Sequence, residues 1–511
     1  MRQVIFHKLD THKLLVNYFC ITQINQNRPD MQDTSQQPEL IFGLVSPIGV
    51  NLDDLQDALS DSLRAVYYCP NIIHVSKLVE KYNNSNENTV NKDDFSEKIS
   101  MVNNFCAQKK DKSATIPISI SEICRIRGDM KSQGSTAFII RQLKRTEEIA
   151  KLRHVYGKNF IQISALSDKD SRINYLANRI RRGKNIDQST ALKQAEHLIE
   201  IDEKDTHPFG QEVEKIFHLA DIFIDCKDRT TINNQVTRII NAIFGENASS
   251  PTKDEFGSFM AYAASMRSVD TTRQVGSAIL NNFGDIISLG CNEVPKAGGG
   301  NYWIGDNNIS RDIDIGVQQN DIEQTFIGLE FANKLKETGV ISDEIDLDNE
   351  EIKSKIIDAI EKSSISNITE YGRMTHAEMT SLCDAARTGN SVRNATMYVT
   401  TFPCHNCMKH IVASGICRVV FIEPYPKSKA LDLHNDSVSF EKHTTNKVYL
   451  SHFFGISPRI YRDIFSKKSR KINGEIQKWY YKAPFPMIEI HEFYYLDRES
   501  IVISDFFSKS E

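Results

Sequence analysis

Short apolar runs alternate with amphipathic stretches through the first half of the chain. The runs are rich in β-branched residues and end at polar or glycine-containing turns, so they predict strands separated by helices. The predicted strands are Leu40–Val45, Asn71–Val75, Ala137–Arg141, Phe160–Ser164 and Asp221–Asp225. This alternation favours an α/β domain with a mostly parallel sheet and helices on both faces.

The loop after the first predicted strand has a glycine-containing sequence. Gly43, Ser46 and Gly49 precede a polar helix start at Asn51. A strand, a glycine turn and a helix are typical of loops that bind phosphate through backbone amides. The lysine and the Ser/Thr that end a kinase loop are absent here. Two interpretations therefore stay open: an altered nucleotide or phosphate site at these three residues, or a plain turn between a strand and a helix.

The second half predicts a different arrangement of strands. A helix over 255–268 is followed by two strands, Arg273–Leu280 and Ile286–Asn292, which a Gly-Asp turn joins into a hairpin. Further on, a strand over Asn394–Thr401 separates two predicted helix starts, and a buried strand over Cys417–Ile422 comes next. These elements predict a second α/β domain.

Two motifs in this second half carry side chains suited to metal binding and proton transfer. Thr375-His376-Ala377-Glu378 precedes Pro403-Cys404-His405-Asn406-Cys407. Cys404 and Cys407 lie one helical turn apart, so both thiolates can face one ion that His376 also binds, with a fourth position left for water. Glu378 is placed to carry protons. The combination H-x-E and P-C-x-x-C is the known signature of zinc nucleobase deaminases.

Composition limits the alternatives. A chain of 511 residues is too long for one core, which predicts two or three domains. Its net charge of -5 gives no general basic surface, so stable nucleic-acid binding is not expected, although a regulatory RNA is not excluded. Cys404 and Cys407 form the close pair among ten cysteines, which indicates metal ligation in a reducing compartment; a second zinc stays open. No apolar run is long enough for a bilayer, so a cytoplasmic protein without a membrane partner is expected.

The stretches around the predicted hairpin resemble deoxycytidylate deaminases. Arg273-Gln274-Val275-Gly276-Ser277-Ala278 and Gly290-Cys291-Asn292-Glu293-Val294-Pro295 look like the two strands that precede the metal site in that family. The resemblance implies that Asn292 contacts the sugar. It also implies that Gln274 and Tyr425 are substrate-binding residues.

The first half resembles the P-loop kinase-like domain of nucleoside-monophosphate kinases. Together with the C-terminal stretch, the chain from about Leu40 to about Phe465 resembles bacterial antiphage dCTP deaminases. That likeness implies zinc-dependent deamination of dCTP, dCMP or both to deoxyuridine nucleotides, which depletes dCTP during phage infection. It implies one catalytic zinc, a nucleotide in the kinase-like domain, a homo-oligomer, and an inhibitory or triggering factor from phage or host.

Three other functions remain as alternatives. They are a deaminase that edits cytidine in RNA or single-stranded DNA, a salvage dCMP deaminase, and a non-catalytic nucleotide-binding switch with a structural zinc. The predicted domains are an N-terminal arm (1–38, with Met1 or Met31 as the start), a P-loop kinase-like regulatory domain (39–245), a linker (246–254), a cytidine-deaminase-like α/β/α domain (255–450, with an insertion at about 298–370) and a C-terminal extension (451–511).

Overall fold

The computed structural model describes most of the chain. The described residues are 38–83, 95–129, 135–184, 186–203, 211–342, 344–367, 370–442, 444–488 and 494–508. They divide into two compact units: the first comprises Met1–Glu255 with Phe454–Glu511, and the second comprises Phe256–Phe453. The predicted arm over 1–38, with both candidate start methionines, lies outside the described residues except for Pro38.

Strands and helices are numbered here along the chain. The strands are β1 (Leu40–Val45), β2 (Cys69–His74), β3 (Thr136–Leu143), β4 (Phe160–Leu166), β5 (Ile222–Asp225), β6 (Gly276–Leu280), β7 (Ile286–Cys291), β8 (Thr396–Thr401), β9 (Arg418–Glu423), β10 (Val438–Ser439), β11 (Val448–His452), β12 (Gly455–Ile456), β13 (Lys471–Ile472) and β14 (Glu475–Ile476). The helices are α1 (Leu52–Ala65), α2 (Val75–Asn83), α3 (Phe95–Lys109), α4 (Thr115–Asp129), α5 (Thr146–Tyr156), α6 (Lys169–Lys184), α7 (Gln188–Glu203), α8 (Val213–Phe217), α9 (Arg229–Ile243), α10 (Lys253–Ser265), α11 (Asp312–Ile315), α12 (Gln319–Glu337), α13 (Glu350–Glu361), α14 (Ala377–Arg387), α15 (His405–Ala413), α16 (Ala430–Leu433), α17 (Pro458–Phe465) and α18 (Tyr494–Ser508).

A six-stranded sheet in the order β12-β5-β4-β1-β3-β2 forms the centre of the first unit. The five strands from the N-terminal half pair in parallel, and β12 pairs antiparallel to β5. All six residues of β1 are buried, as expected of a parallel strand covered on both faces. The predicted α/β class with a parallel N-terminal sheet is confirmed.

Helices cover both faces of this sheet. Apolar side chains of α1 and α9 pack on one face, and those of α4 and α5 pack on the other. The C-terminal segment joins both layers, because Ile456 and Ile464 enter the first core and Leu496 and Ile503 enter the second. The segment predicted as a separate extension thus completes the first unit.

The second unit contains another six-stranded sheet, in the order β10-β11-β9-β8-β6-β7. The predicted hairpin is present as the antiparallel pair β6 and β7, and β6 also pairs antiparallel with β8. Strands β8, β9 and β11 run parallel. The long insertion carries α11, α12 and α13 between β7 and α14. Within the described part of the chain, no helix combines the length and apolar character needed to cross a membrane.

Candidate active site

Helix α14 presents two of the predicted site residues at its N-terminus. His376 is the N-cap of this helix, in an extended conformation, and Glu378 lies in the first turn. The helix begins at Ala377, and Thr375, just before its N-cap, is held in an antiparallel bridge with Glu293. A Cβ atom at Gly290 of β7 would lie 2.2 Å from the carbonyl oxygen of Ala377. Glycine at this position therefore lets the helix and its two functional side chains lie directly against the sheet.

Helix α15 presents the other two predicted residues. Cys404 is its N-cap, and the Cys404 Sγ accepts a hydrogen bond from the backbone N–H of Cys407 at 3.4 Å. The chain reaches this position from β8, where the Phe402 N–H donates to the carbonyl oxygen of Glu423 at 2.8 Å. Ser428 fixes the same corner by donating from its hydroxyl to the carbonyl oxygen of Pro403 at 2.8 Å.

The three predicted ligands meet at one point. His376 Nδ1 lies 3.4 Å from Cys404 Sγ and 3.4 Å from Cys407 Sγ. All three donor atoms lie within 4.8 Å of one another. In a tetrahedral zinc site, the usual Zn–S and Zn–N bond lengths place such donor atoms about 3.5 Å apart. The separations between nitrogen and sulfur thus fit a tetrahedral ion bound by one imidazole and two thiolates.

Burial and neighbouring charges shift the proton affinities of this group. The hydrogen bond with Cys407, supported by His376, lowers the pKa of Cys404 to about 4. The Cys404 interaction and the Glu378 charge raise the pKa of His376 to about 9. The pKa of Cys407 is raised well above its ordinary value by the Cys404 interaction and by burial. Because a cation needs deprotonated ligands, ion binding at this cluster releases protons.

Glu378 is the buried carboxyl group of the cluster. Glu378 is 4% exposed. Burial raises the pKa of its carboxyl group, and the charge of His376 opposes that rise. A carboxyl group with a raised pKa next to a metal site is suited to accept and return protons near neutral pH.

The predicted substrate-binding residues lie in the loop and strands beside this cluster. Asn292 donates from Nδ2 to Asp270 Oδ2 and to the Arg273 carbonyl oxygen, both at 2.8 Å, and its Oδ1 accepts the Val275 N–H at 2.8 Å. Gln274 donates to the Ser268 carbonyl oxygen at 2.6 Å. In this arrangement, the side-chain amides of Asn292 and Gln274 order the loop over 268–275, and their substrate contacts stay predictions.

Tyr425 lies close enough to the cluster to sense its charge. Burial and the Cys404 thiolate raise the pKa of its hydroxyl, and Arg273 lowers it. The ring packs against the apolar core under β8 and β9. The predicted role of Tyr425 in substrate binding stays a prediction.

Sequence reasoning missed a polar group in which Arg273 contacts residues at the ends of two neighbouring strands. Arg273 pairs with Glu423 Oε1 at 2.6 Å and donates to Thr401 Oγ1 at 3.3 Å. Thr401 and Glu423 end β8 and β9, which pair in parallel, so the sheet register brings them together. This group could have been predicted from the sequence, because both predicted strands end in polar residues and parallel neighbours bring their ends together.

The three glycine-loop residues predicted in the first unit do not share one position. Ser46 and Gly49 line a cavity at the end of β1, but Gly43 lies inside that strand. A Cβ atom at Gly43 would lie 2.6 Å from atoms of both Leu143 and Phe160. Gly43 thus permits close packing within the sheet, and its predicted part in phosphate binding stays a prediction.

Part of the second unit is similar to known proteins. Residues 251–423 match the family model described as the cytidine and deoxycytidylate deaminase zinc-binding region. The second unit resembles a deaminase. Over 54 residues, the chain is 50% identical to the deoxycytidylate deaminase of Enterobacteria phage T2 and 35% identical to that of Homo sapiens. Each alignment covers 11% of this chain and 29% of the relative, so the chain spans less than a third of the length of the curated relatives it matches.

One solved structure is also similar at low identity. It is the apo form of the dCMP deaminase of cyanophage S-TIM5, with 15% identity, a TM-score of 0.22, and coverage of 40% of this chain and 98% of that chain. The family match includes His376, Glu378, Cys404 and Cys407 within its bounds. The family match supports a zinc-binding deaminase region in the second unit.

Proposed function

We propose that the second unit deaminates deoxycytidine nucleotides hydrolytically with one zinc ion, converting dCTP, dCMP or both to the deoxyuridine form. The observation that carries this proposal is the convergence of His376, Cys404 and Cys407 beside the buried carboxyl group of Glu378. A purely structural zinc has no use for that fourth residue, because structural sites are closed by ligands alone.

The donor set fits zinc. Two sulfur atoms and one imidazole nitrogen are preferred ligands of this metal, and three protein ligands leave one position for water, as catalytic zinc sites do. Cys404 and His376 both stand at helix N-caps, where the helix dipole favours a thiolate. When bound, the ion supplies Lewis acidity that makes a water molecule acidic near neutral pH.

Glu378 carries the protons in the proposed reaction. Its carboxylate accepts a proton from the attacking water and transfers it to the ring nitrogen of cytosine, so that the C4 atom becomes more electrophilic. The carboxylate then takes the second proton, from the hydroxyl group now bonded to C4, and gives it to the amine, so that the C4 carbonyl forms as the C–N bond breaks and ammonia leaves. Burial suits this residue to both steps, because it raises the pKa of the carboxyl group towards the working pH.

The wider role is proposed from the resemblance given above. Deamination of dCTP starves phage DNA synthesis of a precursor, and the first unit, a P-loop kinase-like domain that holds a nucleotide, regulates the activity. The protein acts in the cytoplasm as a homo-oligomer and responds to a factor from phage or host. A cavity large enough for a small ligand in the first unit supports this regulatory role, because a ligand bound there can act on the first unit.

A substrate panel tests the proposal. Purified full-length protein is incubated separately with dCTP, dCMP, CTP and single-stranded DNA that contains cytosine, and ammonia release is followed. Release from dCTP, with or without release from dCMP, supports both the proposed deamination and the proposed depletion of dCTP. Release from single-stranded DNA alone indicates an editing enzyme, release from dCMP alone indicates a salvage enzyme, and no release from any substrate by zinc-loaded protein indicates a non-catalytic switch.

A further inference from the structure

A cavity of about 900 Å³ opens in the first unit, far larger than a single water site. Its volume is in the range of pockets that hold small organic ligands. The lining includes the loop from Ser46 to Val50, the end of β3 around Arg141 and Lys144, and parts of α2, α3, α6 and α7.

The cavity lies where the sheet topology favours a ligand. Strands β1 and β3 are adjacent and parallel, and the cavity lies at their carboxyl ends. The helices that follow these strands, α1 and α5, pack on opposite faces of the sheet. Adjacent parallel strands whose following helices diverge leave a crevice between them, and ligands of open α/β sheets bind in such crevices.

The charge of the cavity favours an anion. Seven basic and three acidic residues line it, although the whole chain has a net charge of -5. Arg141 is 7% exposed, and its Nε has no hydrogen-bond partner among the described residues. Burial, together with the charges of Arg141 and Lys77, lowers the pKa of His74 to about 4, as expected at a positive potential.

One part of the lining suits a planar ring. Phe95 and Tyr175 are on this wall, and the guanidinium of Arg179 lies 5.4 Å from the centroid of the Phe95 ring. Apolar side chains such as Ile99 and Val102 extend the same surface. A cationic end and an aromatic, apolar end together match a phosphorylated nucleoside.

The carboxylate of Asp202 lies at the loop after β1, where a bound phosphate would accept hydrogen bonds. The Ile48 N–H donates to Asp202 Oδ2 at 2.8 Å, and Asp202 Oδ1 lies 3.5 Å from Lys144 Nζ. The Asp202 side chain is 2% exposed. Lys144 also donates to the Ser46 carbonyl oxygen at 2.7 Å. A backbone amide and a lysine are the partners that a phosphate oxygen takes at such loops.

The start of α1 disfavours a longer phosphate chain. The Asn51 side chain accepts the N–H groups of Asp53 and Asp54, so these first-turn amides are already satisfied. The two acidic side chains in that turn also repel further phosphates. One phosphate group is therefore accommodated more readily than a magnesium triphosphate.

We propose that this cavity binds a nucleoside monophosphate whose phosphate displaces Asp202 from Ile48 and Lys144, with Arg141 as a further donor. The inference deepens the proposal that the first unit holds a nucleotide, and it rests on that proposal and not on deamination. Since Asp202 ends α7, ligand binding releases the last turn of that helix from the loop.

Calorimetric titration of the full-length protein tests the site. AMP and GMP are the probes because they contain no cytosine, and inorganic phosphate and magnesium ATP are the comparison ligands. We expect AMP or GMP to bind the wild type more tightly than either comparison ligand. Asp202→Asn removes the competing charge and should tighten binding about tenfold, and Arg141→Ala should weaken it about tenfold or more. Arg64→Ala, a change in an exposed ion pair of the same unit, should leave the affinity unchanged.

Asp202→Asn also removes the ion pair of the partly buried Lys144, which can change the site by itself. Hydrogen exchange of the wild type therefore provides a second measurement that needs no substitution. A saturating probe should speed amide exchange in the last turn of α7. If AMP or GMP binds, but Asp202→Asn leaves the affinity unchanged and the ligand leaves the exchange rate of α7 unchanged, the role of Asp202 is overturned. The nucleotide proposal then stands. If neither AMP nor GMP binds, or inorganic phosphate binds as tightly as they do, both the nucleotide proposal and the role of Asp202 are overturned. This result does not depend on whether the protein has deaminase activity.

Discussion

Cys404 differs from the other cysteines through its neighbours. Its sulfur lies 3.4 Å from the imidazole nitrogen of His376 and accepts the Cys407 N–H, and its pKa is lowered to about 4. Cys417, in contrast, donates from its thiol to the carbonyl oxygen of Asn394, and burial raises its pKa. The first environment stabilises a thiolate that can bind a metal, and the second stabilises a thiol.

Replacing Cys404 by alanine should therefore abolish zinc binding. With only one imidazole and one thiolate left, the site lacks the three protein ligands that zinc enzymes use. Elemental analysis of purified protein is expected to show about one zinc per wild-type chain and little in the variant. Cys417→Ala is the matched control and should keep its zinc. Full zinc occupancy in Cys404→Ala would remove Cys404 from the ligand set.

Asn292 has a structural role that a substrate contact alone does not require. The residue is 6% exposed, and its side chain makes three hydrogen bonds to the loop over 270–275. Asn292→Ala should lower the free energy of unfolding of the second unit by about 1–3 kcal/mol, because buried partners lose their bonds. Urea denaturation measures this, with exposed Asn390→Ala as the control. Equal stability of the two variants would show that these bonds contribute nothing.

At the scale of elements, the position of α14 depends on a residue outside the motifs. Gly290→Ala places a Cβ atom 2.2 Å from the carbonyl oxygen of Ala377, so the first turn of the helix has to move. We expect a loss of about 1–3 kcal/mol in stability and a lower kcat, because His376 and Glu378 shift with the turn. Denaturation and steady-state ammonia release measure the two effects. An unchanged kcat would show that the helix position is not critical.

His452, the last residue of β11, should make the stability of the second unit depend on pH. Burial lowers the pKa of His452 from 6.5 to about 4, and its ring stacks on Phe440. Between these two values the unfolded chain binds the proton and the folded chain does not, so stability is full above pH 6.5 and falls as the pH drops towards 4. His452→Phe should reduce this fall by about 1–3 kcal/mol in urea denaturation. Identical pH dependence in both proteins would contradict this assignment.

Elements with a strong local pattern were predictable, and those defined by distant partners were not. The five parallel strands of the first unit appear as apolar runs, and the β6–β7 hairpin as two runs around a glycine turn. Strand β12 has two residues, and it exists because Gly455 and Ile456 pair with β5. No local periodicity signals such a pairing.

The same limit applies to the sites. The ligand spacing and the acid in the H-x-E motif identified the cluster at His376, because all its members lie at helix starts close in sequence. The contact between Ile48 and Asp202 spans 154 residues, and the one between Arg273 and Thr401 spans 128. Such pairs follow from the sheet register and from helix packing, which sequence spacing does not encode.

At the scale of the molecule, the first unit is built from both ends of the chain. Arg127 forms ion pairs with Glu39 at 2.8 Å and with Glu499 at 2.9 Å, so the C-terminal helix shares a partly buried cation with the segment before β1. The Tyr156 hydroxyl donates to the same Glu499 at 2.8 Å. A deletion of residues 1–245 would therefore leave the C-terminal segment without its partners.

Truncation after Phe453 should unfold the first unit. It removes several buried aliphatic side chains, namely Ile456, Ile464, Ile488, Leu496 and Ile503. Each contributes about 1.5–3 kcal/mol, and their sum rivals the about 5–15 kcal/mol of a typical domain. Hydrogen exchange should show loss of protection in β1 and β3. Retained protection in the truncated chain would contradict this account.

The most direct test of the central claim is made on Glu378. Glu378→Gln keeps the size of the side chain and removes its ability to accept a proton, while His376, Cys404 and Cys407 remain. Zinc content and ammonia release from dCTP and dCMP are measured on the same preparation. We predict a normal zinc content and a loss of ammonia release of at least about a hundredfold. Ammonia release at the wild-type rate by the zinc-loaded variant would contradict the proposed mechanism.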